Sequence, residues 1–428
     1  MLNLNRTILL VIILVGLSGV IWWLSATQEN AASPKVILRL KPEQVTSIGI
    51  SRSGGPGDPA KITLRLKGKN WYVTAPVRDQ ADRDVLTNFL NVFAKLTVVD
   101  TVASPGKLGD YGLDRPALTV RLTIKNQPAI EFLIGSETPI PLEYYAKLAD
   151  KPEVYIIDNS VKSGLDRELK NLRHKQILFL AENQVRAVNI RKQEGYPGQV
   201  QLQPAGGEWR IITPYPEKVE PGKVATLLSG LSNLQAEDFI DNVRDLKQYG
   251  FDQPQYWFEL SLGSGKTISL KTSKVGENYY IATNLAPTVF KLNSAYSLTP
   301  LLFKPEEQIR KKLFEHPKSA IKTATYQDEK GREHPLPGKR LAEVLESLGK
   351  LSISGAYLEK GQPVWKEHFA EKPICRLALA FKKTRPQLVL TLYPASTKDK
   401  YLIASSERPL IYEINAADWG QIRDKIKN

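Results

Sequence analysis

Two hydrophobic rhythms alternate along this chain. "VTSIGIS" (Val45–Ser51), "KITLRL" (Lys61–Leu66) and "WYVTAP" (Trp71–Pro76) place apolar residues at every second position, which predicts strands with one face turned to a core. The period then lengthens. Leu86, Phe89, Leu90, Phe93 and Leu96 fall on one helical face, and Asp82 stands where a carboxylate can accept the first free helical amides. Four further strand-like runs follow: "ALTVRLTI" (Ala117–Ile124), "AIEFLIG" (Ala129–Gly135), "YYAKLA" (Tyr144–Ala149) and "EVYIID" (Glu153–Asp158). A short helix carrying "LRHK" (Leu172–Lys175) is expected to close the unit. Closely linked strands covered by one long amphipathic helix predict an α+β unit with an antiparallel sheet, without the strand–helix alternation of a doubly wound fold.

The whole pattern is then written again. Sliding the sequence by 138 positions lays Trp71 on Trp209, Pro76 on Pro214, Leu90 on Leu228 and Leu108 on Leu246. It also lays "YGLDRP" (Tyr111–Pro116) on "YGFDQP" (Tyr249–Pro254), so that Tyr111, Gly112, Asp114 and Pro116 meet Tyr249, Gly250, Asp252 and Pro254. In the second copy Pro221 occupies a first helical turn, where a missing amide proton does no harm. A third copy is more worn: Leu341, Val344, Leu345, Leu348 and Leu351 repeat the helix, and "YLIASSERPLIYEIN" (Tyr401–Asn415) follows Tyr279–Asn293. Its "HFAEKP" (His368–Pro373) stands where the hexapeptide should be. The expected organisation is a transmembrane anchor over residues 1–28, a linker over 29–35, and repeat modules over 36–175, 176–311 and, divergent, 312–428, the last running to the end of the chain.

Gly112 and Gly250 suit the left-handed turn that ends a helix, with Leu113 or Phe251 packing back on the core. Asp114 or Asp252 can close a side-chain turn, and Pro116 or Pro254 launches the next strand. The hexapeptide therefore reads as a structural corner. Trp71 and Trp209, at strand positions beside the helix, read as core anchors.

Charge and composition narrow the function. A single cysteine, Cys375, excludes an intrachain disulfide and multi-cysteine metal sites, and four scattered histidines lack the spacing of a zinc enzyme. No metal or cofactor is expected. The formal net charge of +14 would suit nucleic acid, an anionic surface or a solvated exterior. From Thr7 to Gln28, however, there is no charged residue; Arg6 precedes this stretch and Trp22 and Trp23 lie near its far end. That pattern predicts a membrane-spanning helix with the N-terminus in the cytoplasm, although a cleaved signal peptide ending near "ENAA" (Glu29–Ala32) is the rival. Either way the modules are expected outside the cytoplasm, away from nucleic acid.

"GSGKT" (Gly263–Thr267) lacks the upstream glycine of a phosphate-binding loop and is flanked by strand patterns, so a hairpin turn is expected. Each module ends on [Leu/Ile]-Arg-x-Lys, which fixes Arg173 and Lys175, Arg310 and Lys312, and Arg423 and Lys425 as candidate anion-binding or partner-docking cations. The competing reading is a helix C-terminus, where cations complement the dipole. No serine sits in a nucleophile elbow, and no pair of carboxylates recurs in all three modules.

Taken together, the Trp71–Pro76 strand, the amphipathic helix, "YGLDRP", "IGSETP" (Ile134–Pro139), "YYAKL" (Tyr144–Leu148) and "LRHK" resemble the bacterial family catalogued as domain of unknown function 4340. The resemblance covers the first two modules. It implies a membrane-anchored protein associated with ABC-type transporter components of the kind found in gliding-motility systems, and it carries no established activity or catalytic residue. The expected function is a non-enzymatic, single-pass protein of the bacterial cytoplasmic (inner) membrane, an extracytoplasmic scaffold or accessory subunit of an ABC-type complex. The alternatives are a binding module for an anionic envelope polymer or lipid headgroup, and a hydrolase with its site at a junction between modules.

Overall fold

The computed structural model describes residues 14–20, 22, 35–53 and 61–427. These form two compact units, Met1–Lys175 and Gln176–Asn428. The fold is mixed α/β, with three large sheets in which all strand pairs are antiparallel. Of the span expected over Thr7–Gln28, residues 14–20 and Trp22 are helical and exposed, and the remainder lies outside the described residues. No helix among the described residues is long and apolar enough to cross a membrane.

In the first unit, a nine-stranded sheet runs, edge to edge, through Asp79–Gln80, Asn70–Ala75, Lys61–Lys67, Val45–Arg52, Leu118–Ile124, Ile130–Glu137, Glu143–Leu148, Tyr155–Asp158 and Asp100–Thr101. Helix Arg83–Ala94 covers one face. It starts because the Asp82 carboxylate accepts the amides of Asp84 and Val85, each at 3.0 Å. Leu86, Phe89, Leu90 and Phe93 are buried from it against Ile48, Ile50, Leu64, Val120 and Phe132. Leu96, on the same apolar stripe, has already left the helix for a short strand, Leu96–Val98, and is fully buried there. Trp71 packs, half-buried, on the margin of this core.

The first sheet of the second unit has the same nine-strand order, from Glu217–Lys218 through Val185–Lys192 and Tyr256–Leu262 to Asp238–Ile240. Its helix, Lys223–Ser232, begins later than the proline pattern predicts. Gly222 is the N-cap at φ 81°, and Pro221 belongs to the turn before it. Trp209 packs half-buried at the edge of its core. "GSGKT" forms the hairpin turn between Tyr256–Leu262 and Thr267–Val275, with Gly265 at φ 81°.

The next sheet keeps the central order but has seven strands, lacking counterparts of the two strands at one edge. Helix Gly338–Lys350 covers one face with Val344, Leu345 and Leu348. The other face is covered too. Val364, Leu402, Ala404 and Ile411 form a separate buried cluster, with Tyr357, Phe369 and Tyr393 packed on it. Phe369, from the segment that replaces the hexapeptide, meets Tyr393 edge-on at 4.7 Å between ring centres. Within this unit the cores under the two sheets are continuous, from Val188 and Phe258 through to Leu377 and Trp419.

Candidate functional site

The recurring residues lie at two kinds of place. The first is the corner. Gly112 and Gly250 adopt φ 66° and 76° and end short 3-10 turns at Leu108–Tyr111 and Lys247–Tyr249. Leu113 and Phe251 are buried beside them. The Asp114 carboxylate accepts the amide of Arg115 at 3.0 Å, and the strands beginning Leu118 and Tyr256 follow Pro116 and Pro254 closely. Tyr111 packs edge-on against Tyr145 at 4.9 Å, and Tyr249 against Tyr280 at 5.2 Å. In the first copy the backbones nearly touch: a Cβ on Gly112 would lie 2.3 Å from Ser136 Oγ, and one on Gly135 would lie 2.1 Å from the Tyr111 carbonyl oxygen. None of these side chains lines the clefts described below. They tie a corner to the strand behind it.

The second place is the arginine–lysine signature, which in the first two copies straddles the C-terminus of a short helix, with Arg173 and Ile309 as the capping residues. Helices Leu169–Leu172 and Pro305–Gln308 are each four residues long, and the chain leaves them extended to pair with a sheet edge. Here the copies differ by one residue. Arg173 faces Ala81, whereas Ile309 faces Val219, the counterpart of Ala81 under the 138-residue offset. A slip of one residue in an extended chain turns each side chain to the other face. Arg173, buried, therefore meets Asp79, with Nε to Oδ2 at 2.7 Å. Arg310 instead pairs with Glu208 and, at 3.5 Å, with Glu315. In the third copy the signature lies inside helix Ala416–Lys427, where Arg423 and Lys425 are about half exposed, 3.5 Å from Asp424 and 3.8 Å from Glu343. The six cations are thus not equivalent, and the first two arginines are already neutralised internally.

The slip leaves Glu217, the counterpart of Asp79, without the arginine of its own copy. It is filled from the following sheet. Arg408 donates from Nε to both carboxylate oxygens of Glu217 at 3.2 and 3.0 Å, and the Tyr412 hydroxyl donates to the same carboxylate. Arg408 also donates to the backbone oxygens of Arg310 at 3.1 Å and Lys312 at 3.4 Å. Glu217 is 4% exposed and Arg408 11%. Burial first, with the Glu217 carboxylate adding to it, pushes the Tyr412 phenol well above its ordinary value. Tyr215, buried nearby in sequence, packs edge-on against Trp365. The motifs do not disclose this polar seam: Arg408 lies in the recurring Tyr401–Asn415 stretch, but its counterpart in Tyr279–Asn293 is Ala286, so no repeated residue marks it.

The clefts offer limited chemistry. One of about 800 Å³ runs along helix Lys223–Ser232, lined by Glu182, Thr226, Ser229, Asn233 and Asn293 among others. A neighbouring one of about 330 Å³ includes Arg310, but with Glu208 and Glu220 beside it, a poor setting for an anion. A third, of about 470 Å³, holds His334 within 3.3 Å of Asp328. The nearby Tyr326 phenol is pushed up to about 12 by burial, and the Cys375 thiol likewise, so neither is a ready nucleophile at neutral pH. Among the described residues no group of three or more His, Cys, Asp or Glu side chains is placed to hold a metal ion.

A family model described as "Domain of unknown function (DUF4340)" matches residues 71–254 and again 209–354. The two matches run from Trp71, through both corners and the slipped signature, into the last sheet. No curated protein and no solved structure matches the chain.

Proposed function

The chain belongs to the domain of unknown function 4340 family, and from that premise we propose that it is a non-enzymatic, single-pass envelope protein. In this reading the apolar stretch Thr7–Gln28 anchors it in the bacterial cytoplasmic membrane, and the sheets stand outside the cytoplasm. They serve as a scaffold or accessory subunit of an ABC-type membrane complex. What supports the reading is how the recurring residues are used: Tyr111 and Gly112 with their counterparts tie corners, and Arg173 pairs with Asp79 at a sheet edge. The test is purification of the tagged, full-length chain from membranes in mild detergent, with quantitative mass spectrometry. Stoichiometric recovery of transporter subunits is expected. Repeated purification without any constant partner would overturn it.

A second reading, binding of an anionic polymer or lipid headgroup, draws on the net charge of +14 and the exposure of Arg423 and Lys425. It requires salt-sensitive binding that is lost on charge reversal at those two positions.

A further inference from the structure

Three clefts of the second unit share residues and form one groove. Glu182 lines all three. The cleft of about 800 Å³ shares Ala225 with the one of about 330 Å³. Trp209 lines the latter and a further cleft of about 490 Å³ that includes Arg186 and Pro204. The groove therefore runs from the segment Ala295–Leu301, across helix Lys223–Ser232, to the strands where Trp209 pairs with Pro204.

Its largest part is polar but nearly uncharged. Thr226, Ser229, Asn233, Gln235, Asn293 and Ser297 supply hydroxyls and amides, and Glu182 is the one charged residue in its lining. The first copy is different at three of these places. Asn233, Asn293 and Ser297 stand where it has Lys95, Asp158 and Lys162, under the 138-residue offset for the first and a 135-residue offset for the other two. There Asp158 caps a helix and Lys162 lies 3.7 Å from Asp166. Here Ser297 Oγ donates to Asn293 Oδ1 at 2.9 Å, and Asn233 Nδ2 to Ser229 Oγ at 3.2 Å. The Asn293 amide nitrogen, the Asn233 amide oxygen and the Glu182 carboxylate have no hydrogen-bond partner among the described residues.

This lining does not suit an anion, because Arg310 is paired with Glu208 and Arg186 donates to backbone oxygens. It suits a ligand with many neutral hydroxyls and flat C–H faces. Adjacent hydroxyls can donate to both oxygens of one carboxylate, and side-chain amides both donate and accept. An indole such as Trp209, packed on the core and also lining the groove, offers a negative face to polarised C–H groups. We propose that this groove binds an uncharged oligosaccharide, with one pyranose ring on Trp209 and hydroxyls on Glu182, Asn233 and Asn293. The largest cleft alone falls within the roughly 300–1,000 Å³ of small-ligand sites, and its neighbours lengthen it for further sugar units. The site is separate from Arg423 and Lys425 and does not depend on the anchor.

The test screens the full-length chain, in lipid nanodiscs free of sugar-headed detergent, on an array of uncharged hexose and N-acetylhexosamine oligosaccharides. Sulfated glycans, uronic-acid glycans and peptides are arrayed beside them, and hits are titrated by calorimetry. A neutral glycan should bind saturably and with the same affinity at about 1 M salt, where the screening length falls to roughly 3 Å. Glu182→Gln should weaken binding about tenfold, as should Asn233→Lys with Ser297→Lys, which writes the first copy's cations into the groove. The thermal midpoint should not move in either. Trp209→Phe, which keeps a ring on the core, should weaken binding severalfold. Absence of saturable binding to any neutral glycan overturns the inference, as does binding that these variants leave intact. Preference for an anionic glycan that salt abolishes, or for a peptide, overturns it equally.

Discussion

Replacing Arg408 by methionine tests the seam between the two sheets of the second unit most directly. The substitution keeps an unbranched side chain of similar reach and removes the charge. Glu217 would then remain buried with the Tyr412 hydroxyl and the Lys218 amide, which donates to it at 2.8 Å, as its remaining partners. Removing one member of a buried ion pair costs about 3–5 kcal/mol, because the other charge is left uncompensated. Two retained hydrogen bonds place Arg408→Met toward the lower end, about 3 kcal/mol. The backbone oxygens of Arg310 and Lys312 also lose a donor, so some of this cost persists even when the acid is neutralised. Glu217→Gln combined with Arg408→Met should therefore recover most of the loss but not all, with a coupling energy of about 1.5–2 kcal/mol in the double-mutant cycle. The assay is denaturant unfolding of the full-length chain, with hydrogen exchange to localise the effect. Because the two cores are continuous, protection should fall together in Val185–Lys192 and Cys375–Phe381. A loss below about 1 kcal/mol, or one confined to Cys375–Phe381, would refute the reasoning.

Gly112→Ala should destabilise the first unit by about 2 kcal/mol or more, from both its φ and the 2.3 Å approach to Ser136. Gly250→Ala, whose nearest neighbour would be 3.3 Å away, should cost about half as much, and the order of the two midpoints in urea checks the claim. Leu142→Gly should raise the stability of the first unit by up to about 1 kcal/mol, since glycine adopts φ 68° without strain; a lower thermal midpoint would show that Leu142 is a packing residue instead. Asp328 should titrate near 2, below its ordinary 3.8, because the Arg332 amide, then the His334 ring and the Arg332 guanidinium, favour its charged form. Its contribution to the turn is present above pH 4 and is lost as pH falls through about 2. A carbon-detected NMR titration with a midpoint near 4 would disprove this.

What the sequence discloses here depends on the range over which each feature is decided. The strand Val45–Arg52 and the helix Arg83–Ala94 are written in their own periodicity, and the Asp82 cap lies next to the amides that it serves. The left-handed glycines are local as well. By contrast, the signature reads alike at Leu172–Lys175 and Ile309–Lys312, but whether Arg173 or Ile309 faces the sheet edge is settled by residues about 90 positions away. A shared signature does not fix register across such a distance. Pro221 misleads for a related reason, because the glycine after it takes the cap and pushes the helix start to Lys223. The second covered face of the last sheet did leave a trace. Leu402, Ile403 and Ala404 are a continuous apolar run in a strand, the pattern of a strand buried on both sides rather than one.

The two acids at equivalent positions show what the slip accomplishes. Asp79 receives an arginine from its own sheet's closing segment and stays 30% exposed. Glu217 receives one from the next sheet and is 4% exposed. An ion pair inside one copy does nothing to position its neighbour, whereas this largely buried pair between copies, with Arg408 Nε shared by both Glu217 oxygens and its other nitrogens on the Arg310 and Lys312 carbonyls, fixes orientation as well as proximity. The last sheet lacks the two edge strands on which such an acid would sit, so it has no corresponding socket and contributes the arginine. A repeated sequence has thus produced two different joints from one acid position: a closed one in the first unit, and in the second an open one that binds the following sheet into a single core.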